Sequence, residues 1–292
     1  MNTFKFLLLN VIIFSFIGCA SAQTNKRRTT EKSKPKVTNS MNDKSSDSRI
    51  KVLAEGSYGA AETPFIFIAR STETYAELQK IVEDLPSAAE IDFSRAAVIA
   101  AFAGTKNTGG YSVAIRNSNG KITVDVVEPP PGAMTTDALT MPFIVAQAPL
   151  EEENPLSLEA SANWKNAMQM YKVVSGDFES SGGFAGQLKK FKAEGTIGVL
   201  SFGDYATLVF NLSGKGADKN LKLTEIASGT MKNGAFYLAQ LDAGSFSAGP
   251  KPPLKVSGTI ANNKLSAALE PLPTRIADGF QVSGTIEAIK IK

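Results

Sequence analysis

The sequence predicts two folded domains of different class: an α+β domain, in which an antiparallel sheet packs against one helix, and then an all-β sandwich or small barrel. The first half alternates β runs around a single helical stripe, whereas the second half is a succession of short strands and turns. Residues 51–156 carry seven basic and fourteen acidic residues, and residues 157–292 carry fifteen basic and eleven acidic residues. Because net charges of opposite sign favour separate domains, we place the domains at residues 51–150 and 157–292.

The N-terminus has the pattern of an export signal over residues 1–22. Lys5 precedes an apolar run at residues 6–17, which is too short for a stable membrane span, and small residues follow. Cleavage after Ala22 fits the small-x-small rule, whereas the residues ending in Cys19 resemble a lipobox and make Cys19 a lipidation candidate. We therefore expect an exported protein of a bacterial envelope, either periplasmic or anchored as a lipoprotein, and both cleavage sites stay open.

Residues 23–50 form a basic segment with few apolar side chains, which predicts a flexible linker. Eight basic residues face three acidic ones, and the segment is either a solvated spacer or a contact for anionic headgroups. It contains no aromatic residue for base stacking, and with export this argues against a nucleic-acid partner. A second charged stretch at residues 151–155 ends in proline and predicts an exposed linker between the domains.

The side-chain inventory excludes several kinds of active site. The chain has no histidine and one cysteine, which removes Ser-His-Asp and Cys-His catalysis and the His- or Cys-based zinc sites. No phosphate-binding, dinucleotide-binding or calcium-binding motif occurs. We therefore predict a protein that is not an enzyme and that has no cofactor, no metal and no catalytic residue.

The first domain opens with strand patterns at residues 52–54 and 65–68, the second of them apolar on both faces. Ser71 and Thr74 then offer N-cap hydroxyls, Thr74 in capping-box spacing with Glu77, and Pro86 ends the helical pattern. An apolar stripe between Thr74 and Pro86 predicts an amphipathic helix. Its residues are Tyr75, Leu78, Ile81, Val82 and Leu85.

The rest of this domain has the pattern of a sheet beneath that helix. Residues 96–103 are apolar on both faces and predict a central strand. Alternation at residues 111–116 and 122–126 predicts two more strands of the same sheet, joined by a hairpin at Asn119 and Gly120. A last strand is expected at residues 142–146, after a proline-rich loop.

Several motifs of this domain occur together: Phe102-Ala103-Gly104 at a strand end, Thr108-Gly109-Gly110-Tyr111, Pro129-Pro130-Pro131-Gly132 and Pro142-Phe143. The combination, over roughly residues 74–147, resembles the C-terminal domain of the PrcB family. This resemblance implies an accessory or stabilising subunit of a secreted bacterial protease complex, and it implies no catalytic residue. The second domain shows no such resemblance.

Glycine-punctuated strands recur throughout the second domain, with the turn spacing of a sandwich or small barrel. The expected strands lie at residues 172–178, 193–200, 205–212, 221–226, 236–242, 254–260, 264–269 and 280–286. Trp164 precedes them and is either a core side chain or the floor of a ligand-holding barrel.

These observations favour a non-enzymatic protein that binds another protein. Its contact surface would consist of rigid loops at the ends of neighbouring strands. The candidate interaction residues are Asn107, Thr108, Gly109, Gly110, Tyr111, Pro129, Pro130, Pro131 and Gly132. A secreted protease is the partner that the family resemblance implies. Two alternatives stay open: the second domain carries an apolar ligand, or the same loops inhibit a protease.

Overall fold

The computed structural model describes residues 50–118, 121–150, 157–181, 189–215, 220–242, 253–271 and 281–292. Several predictions fall outside the described residues: the export signal with Cys19, the basic linker up to residue 49, the turn at Asn119 and Gly120, and the linker at residues 151–156. No helix within the described ranges is both long and apolar enough to cross a membrane.

The first half of the fold is a sheet with one helix against it, as predicted. In chain order it contains β1 (Lys51–Gly56), β2 (Phe65–Ala69), α1 (Thr72–Ile81), β3 (Ala96–Phe102), β4 (Ser112–Ser118), β5 (Lys121–Val127) and β6 (Phe143–Pro149). Four strands form an antiparallel sheet in the order β1-β6-β3-β2. Every residue of β2 and β3 is buried, which explains their unbroken apolar runs.

Helix α1 begins earlier than the spacing of Thr74 and Glu77 predicts. The Ser71 Oγ accepts a hydrogen bond from the Thr74 N–H at 3.3 Å, and the Thr74 Oγ1 accepts one from the Ser71 N–H at 3.1 Å. The capping box therefore consists of Ser71 and Thr74, and it satisfies two backbone donors at the helix start.

The same helix ends at Ile81, before Pro86 is reached. The Tyr75 hydroxyl and the Gln79 side-chain amide both donate to the Pro86 carbonyl, at 3.0 and 2.9 Å. These bonds hold the returning chain across the last helical turn. Tyr75 and Leu78 of the predicted apolar stripe are fully buried in the core of the sheet.

The strands β4 and β5 leave this sheet, which corrects the prediction that they extend it. They pair with each other, and β5 pairs in parallel with β7 (Ser157–Ala160) to give a separate three-stranded sheet. Between β3 and β4 the chain turns at Gly104 and Gly110, whose φ values of +74° and +86° only glycine adopts readily. These turns redirect the chain away from the first sheet.

Trp164 is a core residue and not the floor of a barrel. It lies in the short helix α2 (Ala162–Ala167) and is fully buried in the cluster that contains β2 and β3. Its indole N–H donates to the carbonyls of Phe65 at 3.2 Å and Phe102 at 3.0 Å. The helix is thereby fixed to the ends of β2 and β3.

The second half closes into a barrel, which decides between the sandwich and the barrel. The eight described strands are β8 (Gln169–Ser181), β9 (Lys189–Phe202), β10 (Tyr205–Lys215), β11 (Asn220–Lys232), β12 (Ala235–Asp242), β13 (Pro253–Ala261), β14 (Lys264–Pro271) and β15 (Gln281–Lys290). Each pairs antiparallel with the next, and β15 pairs with β8. Tight turns at Asn233-Gly234 and Asn262-Asn263 have positive φ at both positions, as two-residue hairpins of the primed type require.

Apolar side chains fill the described interior of the barrel. Alternate residues of β10 are buried inside it: Ala206, Leu208, Phe210 and Leu212. Glycines face two of the large rings, since a Cβ on Gly258 would lie 2.6 Å from Phe236 Cζ and a Cβ on Gly284 would lie 2.6 Å from Phe178 Cδ1. Large and small side chains thus alternate across the barrel and pack it as a core.

The outer face of β9, β10 and β11 packs against β2. The ring centroids of Phe65 and Phe202 are 5.8 Å apart, and those of Phe67 and Tyr205 are 5.9 Å apart. Ile226 of β11 belongs to the same buried cluster as the sheet. One continuous core therefore joins the sheet to the barrel wall.

Two buried hydroxyls of the barrel complete the hydrogen bonding of β2, the edge strand of the sheet. The Ile68 N–H donates to Ser228 Oγ at 2.8 Å, and the Thr207 hydroxyl donates to the Ile66 carbonyl. Because the Thr207 proton is used in that bond, Ser228 donates its own proton to Thr207 Oγ1, 2.6 Å away. The barrel thus satisfies edge groups of β2 that would otherwise be buried without partners.

The variant Thr207→Val should lower the free energy of unfolding by about 1–3 kcal/mol. It preserves the side-chain shape but removes the donor to Ile66 and the acceptor for Ser228 in a site without solvent exposure. Chemical denaturation followed by circular dichroism measures the loss. The exposed Thr259 of β13 gives a matched control, since Thr259→Val should change stability by less than about 0.5 kcal/mol. Equal stabilities of the two variants would contradict the role of the hydroxyl.

A buried ion pair also links the two halves. Arg70 follows β2, and its Nη1 lies 3.4 Å from Oε2 of Glu225 in β11, with side-chain exposures of 6% and 0%. Glu225 is in register with Phe210, whose ring lies in the barrel interior. The carboxylate is therefore on the inward side of the barrel wall, and the arginine reaches it from the sheet.

Candidate interaction surface

Three loop segments meet at one end of the four-stranded sheet, and we call residues 57–62, 103–111 and 128–142 together the loop edge. At this end β1 and β3 finish while β2 and β6 begin, so antiparallel pairing brings the connections together. Backbone hydrogen bonds tie the segments to each other: Thr105 N–H to Glu62 O at 2.8 Å, Met141 N–H to Ser57 O at 2.8 Å and Lys106 N–H to Thr140 O at 2.7 Å. The loop edge is thus built on paired backbone.

The structure brings the two predicted loops into contact. The Gly109 N–H donates to the Thr136 carbonyl at 2.9 Å, and the Thr140 hydroxyl donates to the Thr108 carbonyl at 2.9 Å. Gly110 lies against Pro129, since a Cβ on Gly110 would be 3.0 Å from Pro129 Cβ. The two predicted loops therefore meet at Gly110 and Pro129, and of the neighbouring residues Gly109 is buried whereas Asn107 is exposed.

The proline loop ends in a tight turn with an exposed tip. The Ala133 N–H donates to the Pro130 carbonyl at 3.0 Å, and Gly132 has φ +79°. Proline at the second position and a positive-φ glycine at the third are the residues that a type II turn requires. Met134 follows the turn with its side chain fully exposed.

A side chain at Gly110 should cost more stability than one at Gly132. Positive φ strains any other residue at both positions, by about 1 kcal/mol or more. Only at Gly110 would the new Cβ also crowd Pro129 and Thr135, because no heavy atom lies within 4 Å of that point at Gly132. We therefore expect Gly132→Ala to cost about 1 kcal/mol and Gly110→Ala about 2 kcal/mol or more, measured by thermal unfolding. Equal losses would show that the two loops do not pack together.

Exposed apolar residues of the loop edge were missed in the sequence. Tyr58 and Leu139 are 66% and 64% exposed. Tyr58 forms a β-bridge with Met141, and Leu139 lies two residues before Met141 on the same extended segment. The only signal in the sequence was a lone apolar residue within a turn-rich stretch, which does not distinguish an exposed side chain from a buried one.

Lys106 supplies a fixed positive charge beside the loops. Its Nζ donates to Asn163 Oδ1 at 2.9 Å and lies 5.9 Å from the centre of the Tyr111 ring. Asn163 is itself oriented, because its Nδ2 donates to the Ala103 carbonyl at 3.1 Å. Burial lowers the pKa of the Lys106 ammonium, while the charge of Glu128 acts in the opposite direction. This arrangement holds a positive charge in place at the loop edge.

Two further observations concern potential sites in the part of the chain that the structure describes. It contains no group of three or more Cys, Asp or Glu residues placed to hold a metal ion. A cavity of about 630 Å³ lies at the barrel end where β8, β9 and β15 meet. Its lining includes Phe178 and Phe191, whose rings stack with centroids 5.3 Å apart, and the charged residues Lys190 and Glu179.

Comparison with known families identifies the region of the loop edge. Residues 97–149 match the family model described as PrcB C-terminal, which confirms the resemblance found in the sequence. The match runs from β3 to β6 and includes residues 107–111 and 129–132. No curated protein and no solved structure matches the chain.

Proposed function

We propose that this protein is a non-enzymatic accessory subunit of an exported protease complex, and that the loop edge is its contact with a protein partner. The observation that carries the proposal is that the family match contains both loops and that these loops lie together on one exposed edge. The paired backbone and the prolines reduce the entropy that binding must remove.

The side chains of the loop edge support binding and not turnover. They offer exposed apolar groups and a fixed ammonium. With no histidine anywhere in the chain, a neutral-pH general base would have to be a carboxylate or a lysine of shifted pKa. Burial lowers the pKa of Lys106, but its ammonium donates to Asn163 and lies over the Tyr111 ring, which is the arrangement of a positioned charge.

The proposal includes export to a bacterial envelope. Residues 1–22 have the pattern of an export signal, and Cys19 is the candidate for an acyl anchor. Intact mass of the mature protein distinguishes the two forms, since an acylated N-terminus at Cys19 and an unmodified N-terminus at Gln23 differ in mass. Retention of residues 1–18 in protein purified from its own cells would contradict export through either cleavage site.

Site-specific photo-crosslinking tests the partner. A photoreactive residue at Met134, whose side chain is fully exposed, should give a covalent adduct with a secreted protease subunit. Val174, an exposed apolar residue on the barrel at 58% exposure, is the matched control position and should give no such adduct. Equal adducts from both positions, or none from Met134, would contradict the proposal.

The activity of the captured protease distinguishes an accessory subunit from an inhibitor. An accessory subunit should leave the protease active and increase its lifetime at elevated temperature, because binding to the native state stabilises it. Loss of activity on complex formation would instead support the inhibitor hypothesis.

Ligand carriage by the barrel has one observation in its favour, the cavity beside Phe178 and Phe191. The cavity lies beside the packed interior, where an apolar ligand would contact the two rings. Native mass spectrometry after gentle extraction tests it directly. A mass equal to that of the polypeptide with its modifications would contradict carriage.

A further inference from the structure

We infer that the loop edge recognises a segment of its protein partner in which lysine or arginine residues flank an apolar side chain. This inference rests on the proposed function, because it specifies the chemistry of the partner at the same surface. Two properties of the loop edge carry it: an exposed apolar centre and an acidic rim.

The apolar centre lies on one face of the loop edge. Tyr58 and Met141 are bridge partners, and residues two apart on an extended segment share a face, so Leu139 lies on the side of Tyr58. Tyr58 and Leu139 expose about two thirds of their surface, at 66% and 64%. Exposed apolar side chains that share a face are the kind of group that a partner buries on binding.

The acidic rim consists of Glu62, Glu128 and Asp137, all exposed. Among the described residues, no cation lies within ion-pair distance of these three carboxylates. Lys106 is the single basic residue in the three segments of the loop edge, and it is half-buried and bonded to Asn163. The three segments of the loop edge therefore combine a net negative charge with the exposed apolar side chains of Tyr58 and Leu139.

Such a surface selects its partner by charge. Complementary charges at the rim of an interface steer encounter and disfavour partners of like charge, while the apolar centre supplies most of the affinity. An acidic partner would place its carboxylates beside Glu62, Glu128 and Asp137. A basic partner segment instead pairs with carboxylates that have no ion pair in the free protein.

The chain's own basic segment is a poorer occupant than an external one. Residues 23–49 contain only Val37 and Met41 as sizeable apolar side chains. The segment also joins the sheet at Lys51, which pairs with Gln147, whereas the loop edge begins beyond Gly56 at the opposite end of β1. Residues 23–49 therefore offer few apolar side chains that could cover the apolar centre.

Methyl NMR of the full chain tests the inference with defined probes. The peptide acetyl-Lys-Leu-Lys-Leu-Lys-amide should shift the methyl signals of Met134 and Leu139, and the same peptide with glutamate for lysine should not. The double variant Glu128→Lys with Asp137→Lys should weaken binding of the basic peptide about tenfold or more, because two attractions become repulsions. Glu194→Lys, an exposed substitution on β9, is the matched control and should leave the binding unchanged.

Three results would overturn the inference. These are equal shifts by both peptides, an unchanged affinity in the double variant, and a shift of the Met134 and Leu139 signals when residues 23–49 alone are deleted, since that would make the chain's own segment the occupant. The inference and the proposed function can be contradicted independently of each other. A protease that crosslinks at Met134 through an acidic segment would contradict this inference and leave the accessory role standing, whereas binding of the basic peptide without any crosslinked protease would do the reverse.

Discussion

Replacing Glu225 with glutamine is expected to lower the free energy of unfolding by about 3–5 kcal/mol. The substitution retains the size of the side chain but removes the negative charge 3.4 Å from the Arg70 guanidinium, in a pair that is 6% and 0% exposed. The arginine then keeps its charge in a buried site and loses this carboxylate, so the desolvation of that charge is offset less than in the native pair. Urea denaturation followed by circular dichroism measures the change.

A second variant distinguishes the loss of a pair from the loss of a side chain. The double variant Arg70→Met with Glu225→Leu replaces both charges with apolar groups and should recover most of the stability that Glu225→Gln loses. The exposed pair of Arg116 and Asp125, with side-chain exposures of 54% and 39%, provides the control. Arg116→Met should cost less than about 1 kcal/mol, and a similar cost for Glu225→Gln would contradict the buried pair.

The position of the pair explains why its effect should be large. In the described part of the ladder between β11 and β12, the paired residues of β11 run from Gly229 to Lys232, and Glu225 precedes them. Arg70 reaches the inward side of the barrel wall there and connects it to the end of β2. The pair thus links the first half of the chain to the second through a contact 155 residues apart in sequence.

The sequence predicted those parts of the fold whose signals are local. The unbroken apolar runs of β2 and β3 predicted buried strands, because only a strand covered on both faces needs no polar alternation. The alternation and glycine turns of the second half predicted its strands, and the barrel was one of the two architectures expected. For the loop edge, the Pro131-Gly132 turn and the close approach at Gly110 follow from residue types that such backbone requires.

Contacts between segments far apart in the sequence could not be predicted from it. The opposite net charges of the two halves do not describe their contact, because the structure joins them through apolar rings and the hydrogen bonds of Thr207 and Ser228. In the buried ion pair, each residue has a charge opposite to the net charge of its own half, since the acidic half supplies Arg70 and the basic half supplies Glu225. Net charge reflects exposed side chains, whereas docking depends on the few residues that become buried.

The variant Trp164→Ala is expected to lower the free energy of unfolding by about 3–5 kcal/mol. The indole is fully buried, so its removal leaves a cavity between α2, β2 and β3. It also removes the N–H that donates to the carbonyls of Phe65 and Phe102. Because Trp164 is the sole tryptophan, its fluorescence is lost with it, and unfolding should be followed by circular dichroism.

Two companion variants separate the loss of packing from the loss of the hydrogen bonds. Trp164→Phe keeps an aromatic ring but removes the indole N–H, so it should cost less than the alanine variant, whereas Lys165→Ala, with a side chain 60% exposed on the same helix, should be nearly neutral. Similar stabilities for Trp164→Ala and Lys165→Ala would contradict the core position. Helix α2 also carries Asn163, which orients Lys106. Because Trp164→Ala should loosen this helix, it should shift the NMR signals of the Tyr111 ring at the loop edge under conditions in which the barrel is still folded. The tryptophan thus connects the packing of the sheet to the geometry of the surface proposed to bind the partner.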